Sequence, residues 1–241
     1  MTFKGKRIWI IGASSGLGAA VARRLSRDGA NLVLSARSED DLKDLADEIG
    51  GAEIVPLDVT DLDAVEAAVK HLGQIDRLIY SAGAYHPMAA DKWNSKQILT
   101  MIDVNLSGAI RVLGGVLPGM LERGDGWITL IGSLSGFRGL PGALGYGASK
   151  CALMHLAENL RADLKDTGVQ IQRVNPGFIK TKLSDKNDFD MPQIMDPEEA
   201  GERVVKAMRS GKFSVSFPAP FAWLFTWGRA VPLGLWQRIF A

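Results

Sequence analysis

The chain has 241 residues, 46% of them hydrophobic, and a formal net charge of +1 from 28 basic and 27 acidic residues. That length suits one large core rather than two, and the balanced charge lacks the global basic bias of a nucleic-acid-binding protein. The lone Cys151 excludes an intrachain disulfide and fits a reducing, cytoplasmic compartment.

Cys151 is expected to be a small packed apolar residue. At the N-terminus, Lys4, Lys6 and Arg7 precede only Ile8-Trp9-Ile10-Ile11 before Gly12, a run too short for a signal-peptide core. The same run reads as a strand buried on both faces of a parallel sheet. Gly12-Ala13-Ser14-Ser15-Gly16-Leu17-Gly18 follows, and then Leu17, Val21 and Leu25 recur at helical spacing. A glycine-rich turn between strand and helix lets backbone N–H groups approach a phosphate at the positive helix end.

Leu32-Val33-Leu34 is a second strand, ending in Ser35-Ala36-Arg37-Ser38. An NAD-preferring site places a carboxylate here, whereas the planar fork of Arg37 suits a 2′-phosphate, so NADP(H) is preferred over NAD(H). Glu39, Asp40 and Asp41 then form a helical first turn with Ser38 as N-cap. Ile54-Val55-Pro56-Leu57 is a third strand. Asp58, at its end, either reaches the adenine or is a helix-entry turn residue, with Thr60 or Asp61 as the following cap.

Leu78-Ile79-Tyr80 is a fourth strand, stopped by Ser81-Ala82-Gly83. A helical pattern spans Ser95 to about Glu122 and is expected to bend or end at Pro118-Gly119. Asn105 falls on its apolar face beside Met101, Val104, Gly108 and Val112, and is either a hydrogen-bond hub or a group that holds water. Trp127 to Ile131 is a fifth strand and delivers Ser133 to its end. Tyr146 and Lys150 lie one helical turn apart. An ammonium about 4 Å from a phenol is worth about 4 kcal/mol at an effective dielectric near 20, so Lys150 is expected to lower the pKa of Tyr146. Val169 to Val174 is a sixth strand, ending in Asn175-Pro176-Gly177.

Strand and helix alternate throughout, as in a Rossmann-like, doubly wound α/β fold of about seven parallel strands in a single domain. Gly12, Arg37, Asp58, Gly83, Ser133 and Pro176 then all fall at the carboxyl ends of strands, where such sheets bind ligands.

With these motifs in this order, the chain resembles the classical short-chain dehydrogenase/reductase family across roughly residues 5–217. The resemblance implies an NADP(H)-dependent oxidoreductase that reduces a carbonyl to an alcohol. It implies a tetrad in which Ser133 bonds the substrate oxygen, Tyr146 passes it a proton, Lys150 tunes the phenol and holds the ribose, and Asn105 positions a water. It also implies cofactor contacts from Gly12, Ser14, Ser15, Gly16, Leu17, Gly18, Arg37, Asp58, Val59, Ser81, Ala82, Gly83, Tyr146, Lys150, Pro176, Gly177, Ile179 and Thr181. Ser81 stands where the family usually has Asn. A homo-oligomer, dimer or tetramer, is expected, and no metal.

Phe137, Leu140 and Leu144 either line an apolar substrate pocket or simply pack, and Lys182 to Pro197 reads as a lid. Phe213 to Phe217 alternates like an edge strand. Residues 218–241 form a separate aromatic tail with three tryptophans and three phenylalanines, no acid follows Glu202, and Pro232 opens a last short helix. The tail packs on a partner subunit, lies at a membrane interface or covers the substrate pocket. Besides the reductase, a non-catalytic NADP(H) sensor or scaffold and a membrane-peripheral adaptor remain as alternatives.

Overall fold

The computed structural model describes residues 2–240. Seven parallel strands lie in the order β3-β2-β1-β4-β5-β6-β7. They are β1 Arg7–Ile11, β2 Asn31–Ser35, β3 Glu53–Ile54, β4 Arg77–Tyr80, β5 Gly126–Ile131, β6 Val169–Pro176 and β7 Ser214–Phe217. The helices are α1 Gly16–Arg27, α2 Glu39–Glu48, α3 Leu62–Leu72, α4 Ser95–Ile102, α5 Gly108–Arg123, α6 Leu144–Asp163, α7 Pro197–Ser210, α8 Phe221–Gly228 and α9 Leu233–Phe240.

The period-two geometry of β1 divides the core. Ile8 and Ile10 face the layer that holds Val21 and Leu25 of α1 and Val204 and Met208 of α7. Trp9 and Ile11 face the opposite layer, with Val65 of α3, Val112 of α5 and Leu153 of α6. Both faces of the sheet are therefore dry, which is why its strands read as unbroken apolar runs. The chain leaves β1 towards β2 on one side and later returns to place β4 on the other. That reversal opens a crevice at the carboxyl ends of β1 and β4.

Two boundaries differ from expectation. The third strand is Glu53–Ile54 and does not extend to Leu57. Pro56 has no N–H, yet Val55 and Leu57 still donate to Leu34 and Ala36 at 2.9 Å, so the segment keeps its outer-edge bonds without regular strand geometry. The helix expected to bend or end at Pro118 does not end there but continues to Arg123. Gly114, whose carbonyl the proline leaves unpaired, is exposed to solvent together with Pro118, so water can replace the lost bond. The real irregularity lies earlier, in a π-helical turn at Asp103–Ser107 between α4 and α5. By length and composition alone, Ser95–Arg123 could cross a bilayer. Here its Met101, Ala109, Val112 and Met120 are buried in the core.

Candidate active site

At the end of β1, Gly12 has φ +85°, and a Cβ there would lie 2.6 Å from the backbone nitrogen of Ala82. A Cβ on Gly18 would collide with the carbonyl oxygen of Gly12. The turn after β1 is thus pressed against Ser81-Ala82-Gly83, and α1 starts directly above it. Ser15 occupies the N-cap of α1 without a capping side-chain bond, and the first turn carries no acid. Unbonded N–H groups, the positive helix end and a free Ser15 hydroxyl make a cradle for a phosphate, so these residues fit a dinucleotide. On the far wall, Thr181 comes within 3.0 Å of where a Gly16 side chain would start. Its backbone N–H donates to Ser184 Oγ at 2.8 Å, which fixes the start of the segment after β6.

Arg37 stands exposed at the end of β2. Asp58, four residues beyond β3, accepts from the backbone N–H of Thr60 at 2.9 Å and from its hydroxyl at 2.8 Å, so one oxygen is committed to a turn. Burial works against its ionisation, but the Thr60 bonds and the charges of Arg37 and Arg111 together keep its carboxyl below the usual range. Asp61 caps α3 through Ala64 N–H at 3.0 Å. Val59 is buried beside Gly108, Ile179 bridges to Met195, and Pro176 pairs with Phe217. Gly177 donates to Phe217 at 2.8 Å.

β5 delivers Ser133, whose Oγ accepts from Ser135 N–H at 3.2 Å and lies 2.9 Å from Ser135 Oγ. α6 begins at Leu144 and brings Tyr146 to the same point, where the neighbouring Ser133 hydroxyl favours its ionised form. One turn on, Lys150 is buried and donates to Ile131 O at 2.8 Å, with Nζ 5.8 Å from the centre of the Tyr146 ring. The phenol is not lowered by the lysine as expected. Burial pushes it up to about 12, against a smaller opposing pull from Ser133. Burial likewise pulls Lys150 down to about 8. Both groups lose water, and the ammonium points at a backbone carbonyl instead of the phenol oxygen. At neutral pH the tyrosine is therefore neutral and the lysine charged.

Lys150 carries a stability consequence. Its drop from 10.5 to about 8 means that its charge opposes folding by about 3 kcal/mol below about pH 8. That penalty fades as pH rises towards 10.5. Lys150→Met is therefore expected to remove activity yet raise the melting temperature at pH 6–7, with the gain shrinking by pH 9–10. A thermal-melt series across pH checks it, and a lower melting temperature at pH 6 would refute the account.

Asn105 lies in the π turn and is fully buried. Its Nδ2 donates to Ala84 O at 3.0 Å and to Ser149 Oγ at 2.9 Å, while Oδ1 accepts from Ala84 N–H at 2.7 Å. Ser149 passes the link to Tyr146 O at 2.8 Å. These bonds make the amide a hydrogen-bond hub. Asn105 ties the turn after β4 to the helix that carries Tyr146, and only one lone pair remains for a water.

Several participants carried no sequence signal. Tyr80 donates to Val104 O at 2.6 Å and pins the π turn. Tyr85 packs edge-on to Tyr146 at 4.9 Å between ring centres and donates to Asn187 Oδ1 at 2.7 Å. Lys186 donates to Tyr85 O at 2.8 Å, so the segment expected to be a lid is clasped to the turn beyond Gly83. The two bonds of this clasp join residues 101 and 102 positions apart, and no periodicity marks them.

Of the residues read as either pocket lining or packing, Phe137 and Leu140 pack against the cluster of Leu134, Ala222, Phe225 and Trp236. Trp236 donates to Gly139 O at 2.8 Å, so this loop is a seat for the tail. Cys151, expected to be packed, is exposed, because the adjacent Lys150 points inward and neighbouring helix positions face different ways.

Comparison with known proteins agrees with this geometry. The family description "short chain dehydrogenase" matches residues 6–191. An uncharacterized oxidoreductase of Myxococcus xanthus is 38% identical over 231 residues, covering 92% of this chain and 88% of the relative. One from Staphylococcus epidermidis is 34% identical, covering 85% and 91%. Among solved structures, a short-chain dehydrogenase from Sphingobium yanoikuyae in complex with NADPH is 30% identical with a TM-score of 0.84, covering 96% of this chain and 95% of that one. One from Burkholderia cenocepacia in complex with NADP is 25% identical with a TM-score of 0.89 over the whole of both chains.

Proposed function

The chain belongs to the short-chain dehydrogenase family of oxidoreductases, and on that premise we propose that it reduces an apolar ketone or aldehyde to an alcohol with NADPH. The observation that carries this reading is the meeting of Ser133 with a Tyr146 phenol held near 12, above a buried Lys150, at the strand ends beside the glycine-rich turn.

The phosphates of the dinucleotide would lie against Gly12, Ser14, Ser15, Gly16, Leu17 and Gly18. Arg37 would receive the 2′-phosphate, and the nicotinamide half would lie between Ser81-Ala82-Gly83 and Pro176 to Thr181. Bound there, the cofactor supplies the hydride. Ser133, whose Oγ accepts from Ser135 N–H, would orient the substrate oxygen by donating its hydroxyl proton. Tyr146 is protonated at neutral pH and transfers its proton to that oxygen as charge develops there. Lys150, fixed by its bond to Ile131 O, would hold the nicotinamide ribose. Asn105 is a positioning residue, holding Ala84 and the first turn of α6 in register. A phenol kept protonated favours the reductive direction.

The same reading places the enzyme in the cytoplasm as a homo-oligomer. The exposed Leu99 of α4 and Ile110 and Leu121 of α5 support self-association. The test is titration with NADPH and NADH, followed by a panel of carbonyls. NADPH should bind more tightly, and Arg37→Ala should weaken NADPH by about tenfold or more while barely changing NADH, as expected for loss of a charge-assisted phosphate contact. Equal effects on both nucleotides would remove the 2′-phosphate assignment, and tight binding without turnover of any carbonyl would favour a sensor.

A further inference from the structure

The two C-terminal helices are eight residues each and two-sided. α8 turns Ala222, Phe225 and Gly228 inward, and α9 turns Trp236 inward, over Leu134 and the loop that follows it. Phe225, Trp236 and Phe240 stack on one another at 4.4–6.0 Å between ring centres. This inner side is an ordinary core. The outer side is not, because Trp223 is 60% exposed, Trp227 78%, and Leu224, Leu233, Leu235 and Ile239 are exposed with them. Single exposed apolar residues need no explanation, but six on two consecutive helices do.

Charge narrows what covers this face. Residues 203–241 contain no Asp or Glu, while Arg229, just past α8, and Arg238, on α9, stand exposed. Glu158 of α6 lies 3.8 Å from Arg229. A second copy docking through a twofold axis would bring the same cations together with no carboxylate from the tail to offset them. An anionic phosphate surface complements them, and tryptophan and arginine are the side chains that settle at headgroup depth. We propose that the outer face of α8 and α9 is an interfacial anchor that seats the protein on an anionic bilayer.

The anchor adjoins the substrate crevice. Phe221 of α8 packs on Phe178, just after β6, at 5.8 Å, and Phe178 packs on Phe189 of the clasped segment at 5.8 Å. A lipophilic carbonyl leaving the bilayer would therefore meet the crevice at its apolar rim. That substrate class rests on the reductase reading, whereas the anchor itself does not.

The experiment is co-sedimentation of the full chain with vesicles of phosphatidylcholine alone and of phosphatidylcholine with phosphatidylglycerol, without nucleotide or substrate. The protein should partition onto the phosphatidylglycerol vesicles. Joint Trp223→Ser and Trp227→Ser substitution should lower partitioning by about tenfold or more, and Arg238→Gln by about fivefold. Turnover of a water-soluble carbonyl by these variants should be unchanged, so loss of the anchor and failure of the reductase reading are separable. Arg238→Gln leaves the apolar helices intact and tests the anchor even if the tryptophan variant folds poorly. Absence of wild-type binding to phosphatidylglycerol vesicles would overturn the proposal. So would a dimer in sedimentation velocity that the tryptophan substitutions dissociate, together with variant binding equal to wild type.

Discussion

Tyr146→Phe is expected to lower kcat for carbonyl reduction by about a thousandfold while leaving NADPH affinity and the melting temperature nearly unchanged. The ring remains to pack against Tyr85, and only the hydroxyl that meets Ser133 is lost. The proton must then come from water that has no positioned donor. A second readout separates a proton-transfer role from a steric one. With a phenol near 12, the deprotonated fraction grows about tenfold per pH unit through the neutral range, so oxidation of the matching alcohol should rise about tenfold per unit between about pH 6 and 8. Reduction should stay level over the same range, because the phenol remains protonated. Residual kcat within tenfold of wild type, or an oxidation rate independent of pH, would remove Tyr146 from the proton-transfer role.

The second large effect concerns the cofactor cradle. Gly12→Ala should abolish measurable NADPH binding and destabilise the fold by about 3 kcal/mol, a left-handed strain of about 1–2 plus overpacking of about 1–3. Both causes are visible at this residue, in its φ of +85° and in the backbone of Ala82 waiting 2.6 Å from the new methyl. Neither obstacle can rotate away, since each belongs to the main chain. For a chain of this size the melting temperature should fall by roughly 10 °C. Gly50→Ala is the control, because its φ is +79° with nothing within 4 Å of the added carbon. It should show the strain alone and keep full nucleotide affinity. If Gly12→Ala melts no lower than Gly50→Ala and still binds NADPH, the close approach of the two strand-end turns is not what shapes the site.

These residues differ in how far they could be read without the fold. The glycines were legible because their spacing between an apolar run and an amphipathic helix has few other uses. Ser133, Tyr146 and Lys150 were legible as a pattern, since four positions along a helix is a geometric statement. The electrostatic outcome was not legible. Proximity along a helix implied a lowered phenol, yet burial dominates, and Lys150 turns its charge to Ile131 O. Desolvation depends on everything packed around a group, and no local spacing encodes that.

Asn105 shows the same limit. Its place on an apolar face was plain, but its protein partners, Ala84 and Ser149, come from two other segments brought to it at the π turn. Local periodicity and turn chemistry were enough for the alternating strands, the parallel sheet and the strand-end crevice, because those depend on neighbours a few positions away. The Tyr85 clasp, the seat that Phe137 and Leu140 offer the tail, and the outward turn of Trp223 and Trp227 depend on segments about 80 to 100 residues apart. Contacts at that separation exist only once the sheet has closed, so the packed chain alone could assign them.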